Sequence, residues 1–107
     1  VYKRQAVDIA DFRKGVYGIV ASIPSGRVLS YGKIAWLLGY PHHARLVGRM
    51  LHNAGEAEKL PCHRVVNSAG RTAPDWAEQR QLLESEGVTF RSNGCVDMKK
   101  WQWKLDE

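Results

Sequence analysis

Six consecutive residues, Pro61-Cys62-His63-Arg64-Val65-Val66, constrain this chain more than any other stretch. The ring of Pro61 fixes its own φ and disfavours helical backbone at Leu60, so the segment is entered in an extended conformation. Val65 and Val66 are β-branched and favour a short buried strand. Cys62 and His63 are thereby held between two stiff flanks, which gives a nucleophile the single orientation it needs. A lone cysteine is more commonly a small buried hydrophobe, inert until something lowers its thiol pKa. Nucleophilic Cys–His pairs also meet more often in space than in adjacent positions. The hexapeptide therefore offers two alternatives, a reactive thiol or a packing residue.

Upstream of it the chain reads as helices. Ile9, Phe12, Val16, Ile19, Val20 and Ile23 recur at helical spacing, predicting an amphipathic helix from Asp8 to Ser22. Pro24-Ser25-Gly26 is a turn, and Arg27-Val28-Leu29 a short strand. Ser30 is placed to cap a second helix over Tyr31 to Leu38, burying Ile34, Leu37 and Leu38. Gly39 falls at its C′ position, and Pro41 suits the first turn of a third helix over 41–53.

That third helix has two faces. Leu46, Val47, Met50 and Leu51 point inward, whereas His42, Arg45, Arg49 and His52 fall at i, i+3, i+7 and i+10 on one outward stripe. Two helices joined by a turn of about three residues, the second with a basic stripe, suggest a helix-turn-helix; an ordinary solvated face is the other reading.

Downstream, 54–59 is a polar loop, Asn67-Ser68-Ala69-Gly70 a turn, and Arg71 to Trp76 irregular around Pro74. Asp75 is placed to cap a fourth helix running to Glu86, with Leu82 and Leu83 inward and Gly87 closing it. Glu86 offends the helix dipole in the last turn, beside Glu84; it is either simply exposed or needed there, for instance to orient a histidine. Val88-Thr89-Phe90, the Asn93-Gly94 turn signal and Cys95-Val96 form a β-hairpin, which after such helices would be a wing. The fold expected is α+β, mainly α: one winged helix-turn-helix domain with a short strand carrying the Cys-His motif and a C-terminal β-hairpin. Trp36, Trp101 and Trp103 read as core, Cys95 as packing, and His42, His43 and His52 as DNA-facing or solvated.

Composition narrows the function. A chain of 107 residues is one domain with room for a real core. No apolar run approaches the ~20 residues of a membrane-spanning helix. Two cysteines make no disulfide framework, so a reducing cytoplasm is expected, and no C-x-x-C or H-x-x-x-H spacing suggests a metal site. The net charge of +5 permits a nucleic-acid partner. Residues 1–5 look like a non-native leader; without Lys3 and Arg4, 14 basic side chains face 11 acidic ones, or +3. The domain proper is then 6–107.

Ser30-Tyr31-Gly32, Ala44-Arg45-Leu46-Val47-Gly48, the cysteine hexapeptide and Leu82-Leu83-Glu84-Ser85-Glu86-Gly87 together resemble the O6-alkylguanine-DNA alkyltransferases. The similarity runs from about Asp11 to Gly87, and the hexapeptide is the family's signature. The resemblance implies that the third helix enters the DNA minor groove, with Ser30, His42 and Arg49 on the DNA face and Arg45 filling the gap left by an extruded nucleotide. Tyr31 would press on the adjacent phosphate and hydrogen-bond the extruded guanine. The backbone carbonyls of Cys62 and Val65 would accept from the guanine exocyclic amine, and Trp76 would border the lesion pocket. His63, oriented by Glu86, would deprotonate Cys62, whose thiolate takes the alkyl group in a single turnover without a cofactor. The implied partner is duplex DNA containing O6-alkylguanine, met by a monomer.

Three features depart from those enzymes. Their N-terminal companion domain has no counterpart within these 107 residues, and Asn53 lies one position before their hinge asparagine. Their Tyr-Ser-Gly-Gly-type loop, which holds guanine O6, is replaced by Arg71-Thr72-Ala73-Pro74-Asp75-Trp76. The Leu60-Pro61 approach, Asn67-Ser68 and the tryptophan-rich tail are instead similar to the alkyltransferase-like proteins, which bind the lesion and pass it to nucleotide excision repair. Those carry tryptophan or alanine at the acceptor position, where this chain has Cys62. Suicide transferase and non-enzymatic lesion sensor are the two expectations, with a winged-helix transcription regulator the third.

Overall fold

The computed structural model describes residues 7–55 and 58–105, so the leader expected over 1–5 lies outside the described residues. Asp8 opens α1 (Ile9–Ser22), its carboxylate accepting from the Asp11 amide at 3.2 Å. Phe12, Val16 and Val20, one turn apart, are buried, while Ile9 in the first turn is exposed. Strand β1 (Leu29–Ser30) starts two residues later than expected and ends one residue later, with Val28 making only an isolated bridge to Gln102.

β1 pairs in parallel with β2 (Val65–Val66), Leu29 opposite Val65 and Ser30 opposite Val66. Parallel strands cannot be joined by a tight turn, so the chain between them crosses over as two helices, α2 (Tyr31–Leu37) and α3 (Ala44–His52). Alternation along the strands divides the core. Leu29 and Val65 pack with Phe12, Val16, Ile34, Val47 and Met50, whereas Val28 and Val66 pack with Leu83, Val88 and Val96.

Ser30 caps α2 through a 3.0 Å bond from the Lys33 amide, and Gly39, at φ 88°, ends it in the left-handed conformation that glycine tolerates. Ile34 and Ala35 are buried, but Leu37 is exposed, as is Trp36, expected in the core. A helix advances about 100° per residue, which carries both away from the Ile34–Ala35 face. α3 starts at Ala44 rather than Pro41, because Pro41 and His42 form a turn closed by His43 N–H donating to the Tyr40 carbonyl at 3.0 Å. Residues 38–43, not about three, therefore separate the two helices.

Cys62–Arg64 is a 3-10 turn, so the Cys-His motif immediately precedes its strand rather than riding on it. α4 (Glu78–Ser85) begins three residues after Asp75, which lies in the preceding turn and does not cap it. Leu83 and Gln79 are buried and Leu82 is exposed, contrary to the expected inward pair. Gly87, at φ 93°, ends the helix. The wing is reduced to one antiparallel bridge, Phe90–Val96, with Arg91 N–H donating to the Cys95 carbonyl at 2.7 Å. Cys95 is buried packing. A last short helix, α5 (Met98–Trp101), leads to a tail in which Trp101 packs on the smaller cluster and Trp103 on the larger. The result is a mainly helical α+β domain of winged helix-turn-helix architecture.

Candidate functional site

The crossover brings the start of α2, the inner end of α3 and the cysteine turn to one place. Between them lies a cleft of about 540 Å³ lined by Tyr31, Gly48, Leu51, His52, Leu60, Cys62, Ala73, Asp75 and Trp76. Cys62 and Tyr31, placed together on the strength of the resemblance, do share this cleft, and so does Trp76. Lys59 also lines it, with φ at 51°, an uncommon conformation for a residue with a side chain.

The two residues after the cysteine enter a network of charges. His63 Nε2 lies 2.7 Å from Glu86 Oε2, at the C-terminal end of α4. Arg64 grips the same carboxylate, Nε to Oε1 at 3.0 Å and Nη2 to Oε2 at 2.8 Å, while its Nη1 donates to the Ile23 carbonyl at 2.8 Å. The Gly26 amide adds a 3.2 Å bond to Oε1. Burial alone would raise the Glu86 pKa, but Arg64, His63 and the Gly26 amide outweigh it and hold the carboxyl at about 2. An ionised carboxylate only accepts, so His63 Nε2 carries the hydrogen, and whenever the ring gives up a proton it is Nδ1 that becomes the acceptor. The glutamate that offends the helix dipole is thus repaid by two cationic or donor side chains. Arg64 is a member of this network that sequence reasoning passed over, although it sits in the hexapeptide.

Cys62 itself is half-buried and its thiol is pushed above the ordinary range by burial, with only a backbone hydrogen bond pulling it down. No hydrogen bond joins His63 to the sulfur among the described residues. Tyr31 is likewise raised, first by burial and then by the nearby Cys62 and Asp75, so its phenol stays protonated and able to donate.

Gln79 is the second residue missed. It is 1% exposed, and its amide nitrogen donates to the carbonyls of His63 at 3.1 Å and Val65 at 2.9 Å. Its oxygen accepts from the Ala73 amide at 2.7 Å. One buried side chain therefore ties the cysteine turn to the loop of Ala73, Asp75 and Trp76 that lines the same cleft. Val65 does not line the cleft: it is fully buried, with its carbonyl engaged by Gln79. A polar residue four positions from Leu83, on the buried stripe of α4, was the available signal.

The outward face of α3 presents Arg45, Arg49 and His52, all exposed, and His52 reaches the cleft. His42 is exposed in the turn before the helix, not on it. Ser30 is 7% exposed with its oxygen committed to the cap, so it is not presented on this face. His43 packs against Phe12 and Tyr40, with ring centroids 6.3 and 5.5 Å away, rather than facing solvent. Among the described residues no cluster of three His, Cys, Asp or Glu side chains could hold a metal ion, and no helix is long and apolar enough to cross a membrane.

Comparison with known proteins agrees with this geometry. Residues 11–88 match the family described as 6-O-methylguanine DNA methyltransferase, DNA binding domain. A DNA base-flipping protein of Escherichia coli is 44% identical over 95 residues, which are 86% of this chain and 74% of that protein. The crystal structure of Schizosaccharomyces pombe Atl1 with damaged DNA containing O6-carboxymethylguanine superposes with a TM-score of 0.78 at 32% identity, covering 95% of this chain and 99% of the other. Mycobacterium tuberculosis OGT in complex with DNA gives a TM-score of 0.60 at 32% identity, over 77% of this chain and 51% of that one.

Proposed function

The chain belongs to the 6-O-methylguanine DNA methyltransferase DNA-binding-domain family, and from that premise we propose that it binds duplex DNA, extrudes O6-alkylguanine and takes the alkyl group onto Cys62. The observation that carries this reading is the cleft itself, which Cys62 and Tyr31 line together, while His63, the next residue along the chain, is held by Glu86 at 2.7 Å. α3 engages the minor groove through Arg45, Arg49 and His52, and Arg45 fills the vacated position in the stack. Extrusion is required because O6 cannot be reached by a side chain inside the duplex.

Chemistry then follows from the residues present. The Cys62 S–H proton passes to His63 Nδ1, through a water, as the sulfur closes on the alkyl carbon. The S–C bond forms as the C–O6 bond breaks, and the electron pair leaves with guanine. That anion takes the Tyr31 hydroxyl proton and departs as ordinary guanine; the His63 imidazolium then gives its proton to solvent, and solvent reprotonates the Tyr31 phenolate. Glu86 stabilises the imidazolium, as a carboxylate behind a histidine does. The thioether is not hydrolysed, so one molecule repairs one lesion.

A second reading is favoured by one specific observation. Burial keeps the Cys62 thiol protonated and no side chain lowers it, while the loop that holds guanine O6 in the transferases is replaced by 71–76. In that reading the protein senses the lesion and hands it to nucleotide excision repair. Conversion of O6-methylguanine to guanine in a duplex, measured by nucleoside analysis, separates them. Guanine released in proportion to protein, and none with Cys62→Ala, is the result expected of transfer; an unchanged lesion at saturating binding favours sensing.

A further inference from the structure

Away from the cysteine cleft, the outward face of α2 carries an aromatic ring that the fold leaves uncovered. Trp36 is 59% exposed, with Lys33 Nζ 4.3 Å from its ring centroid. Leu37 and Leu105 are 37% and 40% exposed. With Trp103 they line a cleft of about 580 Å³ whose charged residues are Lys33, Lys99 and Lys104, with no carboxylate among the described residues. Single exposed apolar side chains are normal, but a contiguous apolar patch rimmed by charge of one sign marks an interaction surface.

Both walls are held in place. Ile34 and Ala35 anchor α2 in the core. The tail is pinned by two backbone bonds, Val28 N–H to the Trp101 carbonyl at 3.0 Å and Trp103 N–H to the Val28 carbonyl at 2.9 Å. A partner therefore meets a formed cleft, with little ordering cost.

The chemistry of the cleft selects its occupant. A phosphate chain would satisfy the lysine rim yet leave Trp36, Leu37 and Leu105 in water. A peptide with a leucine or aromatic side chain between carboxylates satisfies both, and tryptophan is among the residues that most often dominate protein interfaces. We propose that this cleft docks an acidic, amphipathic segment of a protein partner, its apolar side chain against Trp36 and its carboxylates on Lys33, Lys99 and Lys104. Trp36 stands roughly 140° around the helix axis from Tyr31. The partner is therefore held on a face separate from the cysteine cleft, whichever fate Cys62 imposes on the lesion.

The test is a titration of the full chain, followed by amide and indole NMR, with a synthetic helical peptide bearing leucine and tryptophan on one face and glutamate on the other. Shifts should concentrate at Lys33, Trp36, Leu37 and Leu105. Affinity should fall about tenfold or more with Trp36→Ala, with the pair Lys33→Glu and Lys104→Glu, and with glutamine replacing glutamate in the peptide. Binding of Trp36→Ala to an O6-methylguanine duplex should stay within about twofold of the parent, since no phosphate charge is removed. Absence of shifts at these residues overturns the proposal. So does a marked loss of duplex affinity in Trp36→Ala, which would make the face part of the DNA interface.

Discussion

His63 and Glu86 are joined by a 2.7 Å contact between Nε2 and Oε2, across 23 residues of sequence. Because Glu86 is ionised, this contact fixes the imidazole tautomer and leaves Nδ1 as the nitrogen that can take a proton. In the proposed transfer the pair serves as a base that acts as the sulfur attacks, rather than one that maintains a preformed thiolate. Arg64 shares the carboxylate at 2.8 Å, so the network also joins the cysteine turn to the end of α4.

The network should be visible in acid. The Glu86 pKa lies at about 2 in the folded protein against an ordinary 4.5, so the unfolded chain takes up its proton first. The stability this contributes is complete above pH 4.5 and is lost as pH falls towards 2. Glu86→Gln should flatten that part of a stability–pH profile and cost roughly 1–3 kcal/mol at neutral pH, by denaturant titration. An unaltered acid slope would contradict the assignment.

Burial of the Cys62 thiol predicts slow alkylation by iodoacetamide at neutral pH, with a rate that keeps rising through and beyond the ordinary thiol range. His63→Ala should leave that profile nearly unchanged while abolishing transfer from DNA. A plateau near neutrality that His63→Ala removes would instead mean a resident thiolate.

Gln79→Ala leaves the His63 and Val65 carbonyls without their amide donor and the Ala73 amide without its acceptor. A loss of about 2–4 kcal/mol is expected, with hydrogen-exchange protection lost at Ala73. Retained protection there would show that the loop is held by something else.

Much of this was legible in the chain. Ser30 and Gly39 bound α2 because capping oxygens and left-handed glycines are local requirements, and the hexapeptide marked the cysteine turn. Trp36 was misread because a large apolar ring is normally buried, and only the rotation of α2 relative to its neighbours exposes it. Leu37 and Leu82 failed for the same reason, each next to the residue that does face inward. Pro41 misplaced the start of α3, since a proline suits a turn as well as a first helical position. Gln79 and Arg64 could not be assigned because their partners, Ala73, Ile23 and Glu86, come together only in the fold.

On the DNA side, Arg45→Ala should weaken binding to O6-methylguanine duplex by roughly tenfold or more while leaving the thermal midpoint unchanged, because the side chain is exposed and anchors nothing in the core. Affinity should also fall with salt, log K decreasing against log salt by about 0.9 for each phosphate engaged. Undiminished affinity in the variant would remove Arg45 from the stack.

Whether Cys62 is the acceptor is tested most directly by intact-protein mass spectrometry after incubation with excess O6-methylguanine duplex. The mass of the parent should rise by one methyl replacing one thiol hydrogen, mapped to Cys62 and absent in Cys62→Ala. An unmodified parent, recovered from a complex in which it selectively held the lesion, would contradict transfer and leave a lesion sensor.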